Sequence, residues 1–324
     1  MPEISGALPR CGRLRPPYKK WVTRDTEAFE ANRPALLALA YRMLGDVARA
    51  EDIVQDAWLR WQKRDLDVEI ASPKAYLVTT VTRLCLDELD SARARREESR
   101  SDRLPEPVDL AENGFDTAEK LDRISMAFVV LLQRLTPAER AVLLLHDVFD
   151  LSHEEIAASL GKSDAASRQL LRRAREHLAK EEPVIPPPRD EHRRLLSAFI
   201  RAVYAGKQDE LVALLAEDAV LIADAGPSGG RYGRIRNIGR PLVGRTRIVA
   251  LMQAFAKQAD TPLQEIHERT LNGEPAVIAM RDGRILAAIF VSVADGKVSR
   301  VFLQTDPARL GHVGRHVPGG YAVS

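Results

Sequence analysis

Residues 136–180 read TPAERAVLLLHDVFDLSHEEIAASLGKSDAASRQLLRRAREHLAK, and this stretch decides the fold of the middle of the chain. Thr136-Pro137-Ala138-Glu139 is a capping box with Pro at the first helical position, which predicts a helix through Val142–Val148. Ser152 and Glu155 repeat that device and open a short second helix, which Gly161 ends. Lys162-Ser163 make a tight turn into a third helix from about Asp164 to Lys180. Leu170, Leu171, Ala174 and Leu178 form its apolar face, while Arg168, Arg172 and Arg175 recur at i, i+4 and i+7 on the other with Arg173 beside them. A short helix, a Gly-containing turn and a longer basic helix is the layout of a DNA-binding helix-turn-helix. An ordinary helical hairpin with a solvated arginine face gives the same pattern, and this stretch alone leaves both readings open. His153 and His177 have no suitably spaced second ligand pair, so no metal site is expected there.

Outward from this motif, the 324 residues suggest two or three domains rather than one. With 45% hydrophobic and 29% charged residues the balance is globular, and 5% aromatics leaves aliphatic side chains to fill the cores. Two cysteines, Cys11 and Cys85, exclude a disulfide scaffold or a Cys-rich zinc module. No apolar run approaches the roughly 20 residues of a membrane span, and the N-terminus lacks the apolar stretch of a secretory signal. A cytoplasmic protein with no membrane partner is expected.

Charge divides the chain further. Residues 1–24 carry a net +5 with four prolines, which reads as a disordered basic tail over 1–25. An over-long start of translation would read the same way. From residue 26 to 98 the pattern is helical, with Leu36, Leu37, Ala40, Tyr41 and Leu44 on one face and Gly45 as a C-cap. A second helix runs through Ala48–Gln62, and a third begins after Ser72-Pro73. On the second, Glu51, Asp52, Gln55 and Asp56 make an acidic face, which is usually only solvated but would also suit docking onto a basic partner helix. Residues 99–120 read as an acidic linker; the slightly longer stretch 97–120 carries a net −5 and includes Leu104-Pro105-Glu106-Pro107. The second helical unit covers 121–181, and Pro183 with Pro186-Pro187-Pro188 makes 182–189 a semi-rigid spacer. Beyond it, helices at about 190–205 and 207–216 precede short strand-like runs. Asn272-Gly273, Asp282-Gly283 and Asp295-Gly296 are hairpin signals between those runs. An α+β domain over 190–313 and a tail over 314–324 complete the division.

With Ala50-Glu51-Asp52-Ile53-Val54-Gln55-Asp56 placed ahead of the helix-turn-helix, residues 26–180 resemble bacterial RNA polymerase sigma factors of the extracytoplasmic-function group. The run at 50–56 is similar to that family's region 2.2, and Ser152–Leu178 to its region 4.2. The appended domain resembles the SnoaL/NTF2-like cone of the sigma J-like subgroup, helices folded against a curved antiparallel sheet. That subgroup's Trp-Leu-Pro-Glu-Pro motif is matched at Leu104-Pro105-Glu106-Pro107, with Arg103 in place of Trp. Its Asn-Pro-Asp-Lys-Leu motif is matched degenerately at Asp306-Pro307-Ala308-Arg309-Leu310. Its Asp-Gly-Gly-Gly-Lys loop is matched loosely by Asp224 and Gly229-Gly230-Arg231.

The resemblance implies two all-α sigma domains plus the α+β cone, and a protein that is not an enzyme and needs no cofactor. It implies binding to core RNA polymerase, Glu51, Asp52, Gln55 and Asp56 gripping the β′ clamp helices and other parts meeting the β subunit. It implies promoter DNA as a second partner, with Ser163, Arg168, Arg172, Arg173 and Arg175 on the −35 duplex. The −10 strand would go to region 2, a flipped base being held by the loop at about 62–73 and the helix after it. Leu84 stands where the family often has Asn, so individual −10 readers are left unassigned. Leu104, Pro105, Glu106, Pro107, Asp306, Pro307, Arg309 and Leu310 become the expected regulatory contacts, and the cone leaves room for a small-molecule ligand. The competing reading is a cyclase or isomerase fused to a DNA-binding module, for which Asp224 and His267 are the acid/base candidates.

Overall fold

A computed structural model describes residues 25–65, 70–94, 103–110, 124–179, 188–226, 231–232, 235–236, 240–257 and 265–313. Residues 1–24 of the basic tail, 66–69 of the loop at about 62–73, 99–102 and 111–120 of the linker, 182–187 of the spacer and Gly229-Gly230 lie outside these residues, as does the tail past 313.

Three helices come first: α1 (Arg33–Leu44), α2 (Val47–Lys63) and α3 (Pro73–Ala94). Gly45 ends α1 in the left-handed conformation, φ 69°, which costs glycine nothing. The Asp46 side chain then accepts from Arg49 N and caps α2, so that only Gly45 and Asp46 separate the two helices. Four more helices follow the linker: α4 (Met126–Gln133), α5 (Pro137–Asp147), α6 (His153–Leu160) and α7 (Asp164–Leu178). Both capping boxes read from the sequence form, at Thr136/Glu139 and Ser152/Glu155.

The two sets of helices share one core. Leu36, Tyr41, Val81 and Cys85 from the first set belong to the same buried cluster as Leu144, Ile156, Leu171 and Ala174 from the second. Arg140 crosses that boundary. Its buried guanidinium donates to Leu132 O at 2.8 Å, to Leu135 O at 3.3 Å and to Met43 O, near the C-terminal ends of α4 and α1. Carbonyls at helix ends are where a cation is best placed.

The third unit begins with α8 (Arg189–Tyr204) and α9 (Gln208–Leu214). Its six-stranded sheet runs β4 (Leu242–Val243), β1 (Leu215–Asp224), β8 (Lys297–Gln304), β7 (Arg284–Ala294), β6 (Glu274–Arg281), β5 (Glu265–Leu271). The pairing of β1 with β8 is parallel, so the sheet is mixed rather than antiparallel throughout as expected. A third helix, α10 (Arg245–Lys257), follows β4; two further short strands, β2 (Arg231–Tyr232) and β3 (Ile235–Arg236), pair with each other. The three dipeptide signals are the hairpin turns, each with positive φ at both residues, as at Asn272 (53°) and Gly273 (74°).

Alternation along the strands gives the sheet two apolar faces. Leu221, Val277, Val291 and Val301 face α8, α9 and α10, where Leu196, Phe199, Ile248 and Met252 cover them. Ile222, Ile278, Phe290 and Phe302 face the other way, where Leu310 and Val313 of the domain are joined by cover from outside it: Leu104 of the linker and Met126, Ala127 and Val130 of α4. The sheet is thereby held between its own helices and the rest of the chain.

Candidate nucleic-acid and polymerase interfaces

The α6–turn–α7 unit presents its basic face outward. Ser167, Leu171 and Ala174 are buried, while Ser163, Arg168, Arg172, Arg173 and Arg175 are all exposed. Ser163 caps α7 through Ala166 N. Most of the arginines are held by carboxylates of their own domain: Arg168 by Asp164 (2.7 Å), Arg172 by Glu176 (3.5 Å) and Arg175 by Asp147 (2.8 Å). Such exposed pairs contribute little and exchange readily for a phosphate or base edge. His153 bonds Ser167 Oγ through Nδ1 at 3.0 Å and stacks on His146, with ring centroids 5.0 Å apart. Desolvation, then the neighbouring His146 and Arg168, push the His153 imidazole below its ordinary pKa.

On α2, Glu51, Asp52, Gln55 and Asp56 are exposed, and among the described residues none of the three carboxylates has an ion-pair partner. Leu59, 42% exposed, continues the same face one turn on. An acidic rim beside a bare leucine is a surface suited to a basic, partly apolar helix.

Two family models match this chain: Sigma-70 region 2 over residues 28–95 and Sigma-70 region 4 over residues 125–178. The ECF RNA polymerase sigma factor SigJ of Mycobacterium tuberculosis is 35% identical over 304 residues, 88% of this chain and 93% of that protein. This chain belongs to the extracytoplasmic-function RNA polymerase sigma factors. A probable ECF sigma factor of the same organism, SigI, is 29% identical over 90% of this chain and 97% of its own length. The crystal structure of Mycobacterium tuberculosis SigJ matches with a TM-score of 0.66 and 31% identity, covering 89% of this chain and 98% of that one. The α+β domain is thus part of the shared architecture.

Within this sigma factor, residues 103–110 run as an extended strap between region 2 and the C-terminal domain. Tyr41 Oη donates to Glu106 O (2.7 Å), and Glu106 N donates to Gly45 O (2.9 Å). The Glu106 carboxylate accepts from Val47 N (2.7 Å), at the start of α2, and pairs with His312. Asn272, fully buried, donates to Tyr41 Oη (2.7 Å) and Ile124 O (3.2 Å) and exchanges backbone and side-chain bonds with Val108 (2.7 and 3.0 Å). Burial raises the Tyr41 hydroxyl pKa, so it serves as a neutral donor and acceptor.

At the other end of the strap, Leu104 N donates to Asp224 (3.0 Å) and Leu104 O accepts from Arg309 (2.7 Å). Arg103 meets the buried carboxylate of Asp306 at 2.8 Å. Gly226, φ 78°, lets the chain pass this cluster, since a Cβ there would sit 2.8 Å from the Asp306 carboxylate. Pro105 and Pro107 are buried in the strap, and Leu310 packs against the outer sheet face. The linker's acidic net charge suggests a solvated segment, yet Glu106 is 3% exposed. Sequence reasoning missed Tyr41, Asn272 and His312. Tyr41 reads as one more core position and Asn272 as a turn residue.

The acid/base pair considered for an enzyme does not assemble. Asp224 and His267 both lie on the outer sheet face but on β1 and β5, four strand spacings or roughly 19 Å apart. Asp224 is engaged by Leu104 N and Gly226 N, and His267 by Glu265 (3.1 Å).

Regions 2 and 4 also touch directly. Arg83 of α3 donates to Ser159 O (2.6 Å) and Ala158 O (3.3 Å) of α6, and Thr79 Oγ1 lies 2.8 Å from Ser159 Oγ. Arg60, Tyr76, Thr80 and Glu155 line a cleft of about 510 Å³ beside that contact.

Proposed function

We propose that this sigma factor reads the −35 duplex through Ser163, Arg168, Arg172, Arg173 and Arg175 and docks on core polymerase through Glu51, Asp52, Gln55 and Asp56. The acidic α2 face fits the basic β′ clamp helices, and α3 with the loop before it takes the melted −10 strand. The observation that carries this is one chain exposing both an acidic face with no ion-pair partner among the described residues and an arginine face in helix-turn-helix geometry. Core polymerase supplies the first partner and the promoter the second, and the chain needs neither cofactor nor metal for either.

The same reading makes the present arrangement a closed one. Elements at −35 and −10 lie about 25 base pairs apart, roughly 85 Å along B-DNA at 3.4 Å per base pair. Here α3 and α6 are in hydrogen-bond contact, so region 4 must leave region 2 before both elements are engaged. The strap contacts of Leu104, Pro105, Glu106 and Pro107 with Asp306, Pro307, Arg309 and Leu310 would hold the closed form and give the C-terminal domain its control over polymerase engagement. The outer sheet face is packed by the strap and α4, which supports a clamp rather than a ligand cup.

Transcription by core polymerase on a promoter library tests the function: sequence-selective initiation is expected, and failure to bind core would refute it. Asp52→Lys with Asp56→Lys should abolish core association without lowering helix content, because both side chains are exposed. Wild-type initiation by that variant would remove the clamp contact.

A further inference from the structure

The C-terminal domain carries an arginine face of its own. Helix α8 buries His192, Leu195 and Phe199 against the sheet and leaves Arg193, Arg194 and Arg201 exposed. Arg194 and Arg201, seven apart, lie on one face, and Arg193 flanks it. Among the described residues, none of the three has a carboxylate within ion-pair distance. That sets them apart from Arg168, Arg172 and Arg175, each of which has one. Asp190 and Glu191 occupy the first turn of α8, where the helix dipole favours them, and among the described residues the one carboxylate that reaches the face between Arg194 and Arg201 is that of Glu268, which accepts from Ser197.

Position gives this charge a partner. From Leu178 at the end of α7 to Arg189 at the start of α8 the chain can span at most about 40 Å. The domain is also fixed to region 4 by Met126, Ala127 and Val130 on its sheet. With α7 in the major groove at −35, the start of α8 therefore stays within about 40 Å of the end of α7, little more than one helical turn of the duplex. The strap and Ile124 are bonded to Asn272, in the turn whose Gly273 carbonyl accepts from Arg189 at the start of α8 (3.0 Å), so the chain's own acidic segment is the competing occupant that the test must separate. The short tether to α7 and the guanidinium groups without carboxylate partners favour duplex DNA.

We propose that Arg193, Arg194 and Arg201 bind phosphates of the duplex just upstream of the −35 element, so that the C-terminal domain extends the promoter contact without reading sequence. This rests on region 4 reading the −35 duplex, and the test separates the two. Full-length protein with core polymerase is titrated, over a range of salt, against two promoter fragments. One ends at the upstream edge of the −35 element and the other extends about 30 base pairs further.

The wild-type log–log salt slope should be steeper on the long fragment by about two to three units, close to one per phosphate contacted. Arg193→Ala/Arg194→Ala/Arg201→Ala should bring it down to the short-fragment value, and the corresponding triple Lys variant should restore most of it. Equal wild-type slopes on the two fragments overturn the proposal. So does a loss in the Ala variant that is equal on both, which would place the arginines on protein, the acidic linker included. Failure of the region 4 reading looks different, because then neither fragment is retained in a −35-dependent way by any of the proteins.

Discussion

The C-terminal domain meets the two sigma regions through junctions of opposite chemistry. Toward region 4 it presents the apolar outer face of its sheet, into which Met126, Ala127 and Val130 are pressed with at most 9% exposure. Toward region 2 it presents Asn272, Arg309 and His312, which act largely through the strap. Burying a Met or Val side chain is worth about 1.5–3 kcal/mol, and exposing it to water recovers nothing. A hydrogen bond contributes about 1 kcal/mol net, because water replaces it when the junction opens. Of the C-terminal domain's two junctions, the polar one should therefore part at lower cost than the apolar one, although separating regions 2 and 4 also opens the apolar core they share. When region 4 leaves region 2, the C-terminal domain should travel with region 4.

The comparison is broken most severely by putting a charge into the apolar junction. Val130→Asp should release the C-terminal domain from region 4, at a cost of several kcal/mol for a carboxylate without a partner. Limited proteolysis in the spacer at 182–189 should then accelerate sharply, and unchanged cleavage would place the adhesion elsewhere. Asn272→Ala attacks the polar junction, removing the donor to Tyr41 and the acceptor for Val108. A loss of about 2–3 kcal/mol from the closed form is expected, read as tighter binding to core polymerase. Weaker binding would mean that the junction assists engagement instead.

Arg172→Ala leaves both junctions intact. It should cost roughly 1–3 kcal/mol of −35 discrimination if the side chain is bidentate to guanine, with core affinity unchanged. A uniform loss on all duplexes would make it a phosphate contact. A pH-dependent effect comes from Glu274, whose carboxylate accepts from Met126 N at 2.8 Å. Burial pushes its pKa up to about 8, against the pull of that bond. The docked form therefore favours the protonated acid. Docking should be firmest at low pH and weaken as pH rises through the ordinary carboxylate range toward about 8. Hydrogen exchange of α4 across pH 5–8 would follow this, and Glu274→Gln should flatten the dependence.

How much of this was legible follows the same division. The helix-turn-helix announces itself because its signals are local: two capping boxes, Gly161 and arginines at helical spacing, all within 45 residues. The hairpins do too, since Asn-Gly and Asp-Gly dipeptides set backbone angles that few other residues accept. The acidic α2 face was visible as a pattern. Helix α10 was missed, and so was the parallel pairing of β1 with β8, whose partners lie about 80 residues apart. The polar junction was least legible. Tyr41 and Asn272 are 231 residues apart, and no periodicity marks a hydroxyl that must meet an amide at that distance. Leu104–Pro107 and Asp306–Leu310 were marked only by the subgroup resemblance.

Interlabel distances in a working initiation complex test the central claim most directly. With Cys11→Ser as background, spin labels are placed pairwise at the exposed positions Asp87 in region 2, Glu154 in region 4 and Lys207 in the C-terminal domain. Distances are measured in the free protein and with core polymerase on promoter DNA. The account predicts that the Asp87–Glu154 distance lengthens by tens of ångströms on engagement, at the scale of the promoter spacing, while Glu154–Lys207 stays as it is. Lengthening of Glu154–Lys207 with Asp87–Lys207 preserved would contradict it, as would three unchanged distances in a complex that initiates.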